Sequence, residues 1–141
     1  MKLADESARG VYIQSIHESD WVTLVNEAGE SLPGIRGRPG VAAPTLEGNM
    51  LGADLIEMQP GSAFPLHTHI GTHILYIIQG QGLVQINGID YQIRPADTIF
   101  IPAECPHHVV APETAPAPLI FLSLGHPHRP LSARNRMHQV K

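Results

Sequence analysis

Between Pro65 and Gly80 the sequence reads PLHTHIGTHILYIIQG, with His67, His69 and His73 placed just before an apolar run. Imidazole is the commonest protein ligand for first-row transition ions and binds zinc at ~2.0–2.1 Å. On an extended chain, residues two apart share a face, so His67 and His69 point the same way. A helical reading that puts His69 and His73 on one face fails, because Gly71 interrupts, no glutamate follows His69, and the next segment is β-branched. A bend at Ile70-Gly71-Thr72 instead lets His73 head the following strand and aim its ring back at the other two. A further donor is available at His107 or His108, after IPAECP, and only one of two strand neighbours can face inward. Without a metal such a cluster would be costly: buried imidazoles need hydrogen-bond partners, and charged ones repel one another. The pattern predicts a metal centre.

Other side chains that could do chemistry carry weaker signals. Cys105 lies two residues before His107, but nothing in the sequence places a base beside it, and a buried or loop thiol is expected. Glu104 reads as a solvated turn carboxylate. Arg36 and Arg38, in GIRGRPG, match the geometry of a carboxylate clamp, although a solvated loop is the simpler reading. His126 and His128 flank a proline beyond the last expected strand and are not expected to be ligands. Phe64, Ile86, Phe100 and Phe121 are candidates for an apolar pocket wall, with Gln59 and Tyr76 as polar additions.

The elements that must position these residues are short and extended. VYIQSIH (11–17), WVTLVNE (21–27), MLGADLIEMQ (50–59), a short piece from Phe64 to His69, HILYIIQ (73–79), TIFIP (98–102), HHVVA (107–111) and PLIFLSLG (118–125) read as strands. GLVQINGIDYQI (82–93) holds Asn87-Gly88 between two alternating segments, the signature of a two-residue type I′ hairpin. HILYIIQ is apolar at nearly every position and is expected to be buried on both faces. SLPGIRGRPGVAAPTLEG (31–48) shows no usable periodicity and reads as a long loop or very irregular edge. Eight or nine strands and no convincing helix predict an all-β barrel or sandwich. Residues 1–10 are expected to be loose. Residues 126–141, with four Arg or Lys and no acid, are expected to be a solvated basic tail, with docking onto a partner subunit as the alternative.

Composition sets the remaining bounds. With 141 residues, 43% of them hydrophobic and 16% charged, the chain fits one globular domain. A net charge of −4 offers no basic footprint for nucleic acid. No signal-peptide core or membrane-spanning run is present, and a lone cysteine cannot form an internal disulfide. A cytoplasmic protein without nucleic-acid or membrane partners is expected.

The histidine-bearing segments resemble the two motifs of the cupin family. The first motif runs G-x5-H-x-H-x3-E-x6-G, and Gly61, His67, His69 and Gly80 stand at the matching places, with His73 where glutamate is usual. The second resembles ADTIFIPAECPHHVV (96–110), in which Asp97, Pro102, Pro106 and His107 match, Ala96 replaces a glycine, and Ala111 stands where asparagine is frequent. The resemblance implies a single-domain jelly-roll β-barrel over 11–125, an RmlC-like cupin. It also implies one divalent transition metal per chain, held by His67, His69, His73 and His107. Four neutral ligands would leave the ion formally +2, as in the four-histidine subset of small bacterial cupins, some of which bind manganese or iron and perform oxidative chemistry. Mn or Fe is therefore favoured, with Zn, Ni, Cu and Co open. The expected function is an oxidoreductase or dioxygenase acting on a small organic substrate in the barrel. The alternatives are a non-catalytic ligand-binding or sensing protein, or a sugar isomerase or epimerase. The resemblance also implies a homodimer, which would cover exposed sheet edges.

Overall fold

A computed structural model describes residues 2–3 and 10–140, so the expectation of a loose terminus over 1–10 concerns residues that lie mostly outside it. In chain order the strands are β1 (Lys2–Leu3), β2 (Tyr12–Ile13), β3 (Val22–Val25), β4 (Ser31–Pro44), β5 (Met50–Met58), β6 (His67–Thr68) and β7 (Thr72–Gln79). They continue as β8 (Gly82–Ile86), β9 (Ile89–Ile93), β10 (Thr98–Ile101), β11 (His107–Val110), β12 (Leu119–His126) and β13 (His138–Gln139). Beside the small β1–β2 pair, two antiparallel sheets face each other. One has the order β10-β7-β12-β5-β4-β3 and the other β13-β6-β11-β8-β9. The all-β, two-sheet architecture agrees with the strand-rich reading. No helix among the described residues is long and apolar enough to cross a membrane.

Period-two alternation builds the interior. Ile56 and Met58 of β5, Leu75 and Ile77 of β7, Val109 of β11, and Leu119 and Phe121 of β12 are buried between the sheets. The predicted hairpin is present: Ile86 pairs with Ile89, and both Asn87 (φ 51°) and Gly88 (φ 80°) take the left-handed conformation that a type I′ turn needs. Ala96, standing where the cupin pattern has glycine, also adopts positive φ (73°).

Four expectations change. Of VYIQSIH only Tyr12–Ile13 is a strand, and Ile16–Glu18 is a 3-10 turn. The segment read as a long loop or very irregular edge is β4, lying between β5 and β3 and paired with β5 from Ile35↔Met58 to Pro44↔Met50, with an irregularity between Pro39 and Ala42. Gly37 and Gly40 permit close approach, since a Cβ at Gly40 would stand 2.6 Å from the Ala53 carbonyl oxygen, whereas Gly34 takes positive φ (74°). In β7 only one face is buried, while Ile74, Tyr76 and Ile78 are exposed on the other.

The fourth change concerns the C-terminal segment, which packs onto its own domain. Leu131 and Met137 are buried, β13 pairs with β6 (Gln139↔His67), and Val140 N–H donates to the Leu66 carbonyl at 2.8 Å. Two apolar anchors and a strand pairing outweigh the polar composition that suggested a solvated tail.

Candidate metal centre

His67 and His107 are register partners on the antiparallel strands β6 and β11, so their side chains leave the sheet side by side, with ring centroids 4.3 Å apart. His69, two residues past His67, lies on the same inner side. All three are buried, and one nitrogen from each falls within 4.8 Å of the others. His108 faces the other way, its Nδ1 against the Phe64 carbonyl at 3.1 Å, which decides between the adjacent histidines in favour of His107.

The three rings are held by one device. His67 Nδ1 lies 2.6 Å from the Pro65 carbonyl oxygen, His69 Nδ1 2.7 Å from that of Gly71, and His107 Nδ1 2.8 Å from that of Cys105. Each carbonyl can only accept, so each Nδ1 must carry the proton and donate. The Nε2 lone pairs are then left facing inward. Burial, chiefly, pushes the pKa of His67 down to about 3 and that of His69 to about 4, with the neighbouring His107 adding to both, and burial lowers His107 as well. At neutral pH the rings are uncharged. Yet His69 Nε2 and His107 Nε2 are only 3.1 Å apart. Two lone pairs at that distance repel, and giving either Nε2 a proton would turn its Nδ1 lone pair onto a carbonyl oxygen. A cation between them removes the conflict, since two nitrogens each ~2.1 Å from a shared ion and at right angles lie ~3 Å apart. The donor set therefore fits a divalent transition ion. The three backbone carbonyls supply the outer hydrogen bonds that fix ligating imidazoles.

His73 lines the same cavity but is not among the three converging nitrogens. It is the second residue of β7, in the opposite sheet, where its ring stacks on that of His69 (centroids 4.2 Å, 27° between planes) and its Nδ1 lies 3.1 Å from Ser123 Oγ. Burial, chiefly, and then His69, drive its pKa down to about 2.

The cavity, about 50 Å³, is walled by Ile56, Phe64, Leu75, Ile101, Val109, Phe121 and Met137 around the histidines, with Ser123 and Arg136 as further polar groups. Phe64 and Phe121 are therefore wall residues as expected, and Ile86 only packs against the core from its edge. Phe100, Tyr76 and Gln59 are exposed and lie elsewhere: Phe100 is 61% exposed, and Gln59 Nε2 donates to Glu57. Arg36 and Arg38 sit on the outer face of β4 over the Trp21 ring, at 3.6 and 4.4 Å, and Arg36 pairs with Glu57 at 2.8 Å. They line neither the histidine cavity nor the one adjoining it. Glu104 is an exposed turn residue, and the Cys105 thiol is buried, donating to Asn87 Oδ1 at 3.2 Å.

The sequence reading missed a second polar group beside the histidines. Asp54 is buried on the inner face of β5, and His128 Nε2, from the C-terminal segment, lies 2.8 Å from its Oδ2. The His128 ring lies over Gly52, where a Cβ would come within 2.5 Å of it. Asp54, Ser123, His128 and Arg136 share an adjoining cavity with His69 and His73. Asp54 and Ser123 did carry a signal, since each is a polar residue in phase with the buried positions of its strand. Nothing local marked His128 or Arg136.

Comparison with known proteins agrees with this geometry. The cupin domain family matches residues 54–123, which include all four candidate histidines. The chain carries a cupin domain. This cupin is similar in structure to KdgF from Halomonas sp., with a TM-score of 0.68 and 24% identity over 84% of this chain and 94% of that one. It is also similar to Rru_A2000, a cupin-2 domain from Rhodospirillum rubrum, with a TM-score of 0.69 and 19% identity over 87% and 76% of the two chains. Among curated sequences, an uncharacterized protein of Methanocaldococcus jannaschii, MJ1618, is 36% identical over 50 residues, or 35% of this cupin. The match spans 40% of that relative, well under two thirds of its length. These likenesses bear on the fold, which hosts many chemistries, and leave the reaction to the site.

Proposed function

We propose that this cupin is a divalent-metal-dependent enzyme that oxidises a small organic substrate inside the barrel. The observation that carries the reading is that one nitrogen from each of His67, His69 and His107 lies within 4.8 Å of the others while each Nδ1 is tied to a carbonyl. His67, His69 and His107 would hold the ion, with His73 as the adjacent fourth donor. Bound manganese or iron would supply redox capacity and Lewis acidity. The apolar walls exclude bulk water and strengthen the field of the few polar groups facing the cavity. Its volume of about 50 Å³ suits a ligand of few atoms, since one water needs ~10–15 Å³.

The Asp54–His128 pair supports a second reading, proton transfer in an isomerase or lyase. A buried carboxylate holding an imidazole at 2.8 Å beside the cavity can position a proton acceptor. One experiment separates the two. Protein purified without chelator or metal-affinity resin is assayed for metal, then incubated in D2O with a panel of small hydroxy- and keto-acids in an oxygen electrode. Substrate-dependent oxygen uptake by manganese- or iron-loaded protein is expected. Deuterium exchange without oxygen uptake would establish the second reading instead, and tightly held zinc with neither activity would favour a binding protein.

We also propose that two copies associate through the outer face of β7 and β10. Ile74 and Phe100 are register partners there, Tyr76 and Ile78 extend the exposed apolar strip, and β10 is a sheet edge. Such a strip and an open edge together favour a second copy. Light scattering should give a dimer for the wild type and a monomer for Phe100→Glu; unchanged mass would place the interface elsewhere.

A further inference from the structure

We propose that Arg136, brought to the cavity by the C-terminal segment, is the recognition residue for a carboxylate group on the substrate. This rests on the reading above that the cavity holds a small organic ligand. Arg136 closes the 3-10 turn Arg134–Arg136 and lines both the histidine cavity and the adjoining one around Asp54. The segment that carries it is anchored on both sides. Before it, His128 N–H donates to the Met50 carbonyl and Leu131 is buried; after it, Met137 is buried and β13 is paired with the ligand-bearing strand β6.

The other arginines of this segment are engaged. Arg134 donates to the Glu27 carbonyl at 3.1 and 3.2 Å, and Arg129 donates to the Asn135 carbonyl. Among the described residues, the Arg136 guanidinium has no hydrogen bond and no ion pair within 4 Å, although it is the arginine that lines the histidine cavity, whereas Arg129 reaches only the adjoining one. Asp54 is the acid whose charge reaches it, and that carboxylate is already bonded to His128 at 2.8 Å. Burial pulls the arginine pKa below its usual value and Asp54 partly offsets this, but a guanidinium remains charged. The cavity therefore contains a cation with unused, fork-shaped donors, beside neutral imidazoles that add no negative charge. An anion satisfies it, and a planar carboxylate matches the fork with two parallel hydrogen bonds. The small volume restricts that anion to an acid of few carbons.

The test is calorimetric titration of formate, acetate, oxalate and pyruvate into metal-loaded and metal-free protein, comparing wild type, Arg136→Gln and Arg136→Lys, with pyruvamide as the uncharged control. At least one carboxylate should bind the wild type. Arg136→Gln should weaken it roughly 10- to 100-fold, with full metal content and an unchanged melting temperature. Arg136→Lys, which keeps the charge and loses the fork, should fall between. Pyruvamide should bind weakly and equally to all three. Carboxylate binding that depends on Arg136 in protein unable to hold a metal would sustain this inference while removing the metal-enzyme reading. Equal affinity of wild type and Arg136→Gln, or no carboxylate binding by the wild type in either form, overturns it.

Discussion

Alanine at His69 or His107 is expected to strip the protein of its metal. The two Nε2 atoms stand 3.1 Å apart, and each ring is locked by a carbonyl, so neither neighbour can swing in to replace a lost donor. Changes to the outer hydrogen bonds of a metal ligand alone cost roughly 10–100-fold in affinity, so loss of the ligand itself should cost more. Metal content after dialysis should fall to background for both variants. His73→Ala should leave a three-histidine site that still fills at excess metal but with lower affinity, because its ring lies alongside the cluster. His126→Ala is the control: it alternates outward on β12, in phase with Leu122 and Leu124, and its loss should leave metal content at the wild-type level. Equal retention in the His69, His107 and His126 variants would show that the ion, if any, is bound elsewhere.

The second large effect is an acid instability of the metal-free protein. An unfolded histidine titrates near ~6.5. In the fold, burial, chiefly, holds His67 at about 3 and His69 at about 4. Between those values the unfolded chain binds protons that the folded chain refuses, so stability is fully present above ~6.5 and falls as pH is lowered. Each such histidine removes ~1.4 kcal/mol per pH unit until its folded pKa is reached. His67 and His69 together give a slope of ~3 kcal/mol per unit, and His73, held at about 2, and His107 steepen it. Against a total of ~5–15 kcal/mol for a domain, unfolding of the metal-free protein near pH 5 is expected. Urea denaturation at half-unit intervals from pH 7.5 to 4.5 measures the slope. His67→Gln should flatten it by about one histidine's share, ~1.4 kcal/mol per unit. A stability that does not change across this range would mean the rings are solvated rather than buried.

What the sequence by itself determined about this cupin was whatever depends on short spacing. H-x-H on an extended chain puts two rings on one face, and Asn-Gly between alternating segments makes the hairpin; neighbours on a strand face opposite ways, so only one of His107 and His108 could turn inward. The all-β class follows from the same periodicity. Local pattern misled where tertiary demands overrode it. The Gly- and Pro-rich 31–44 segment pairs with β5 as β4, the lack of a side chain at Gly40 permitting the close approach, and the apolar outer face of β7 stays exposed in the single chain. The tertiary structure alone decided how the site is completed. Asp54 meets His128 from 74 residues away, and Arg136 enters the cavity on a segment whose composition reads as a solvated end. Such pairings leave no mark on local spacing, because what selects them is the burial of Leu131 and Met137 and the pairing of β13 with β6, which exist only once the two sheets have formed.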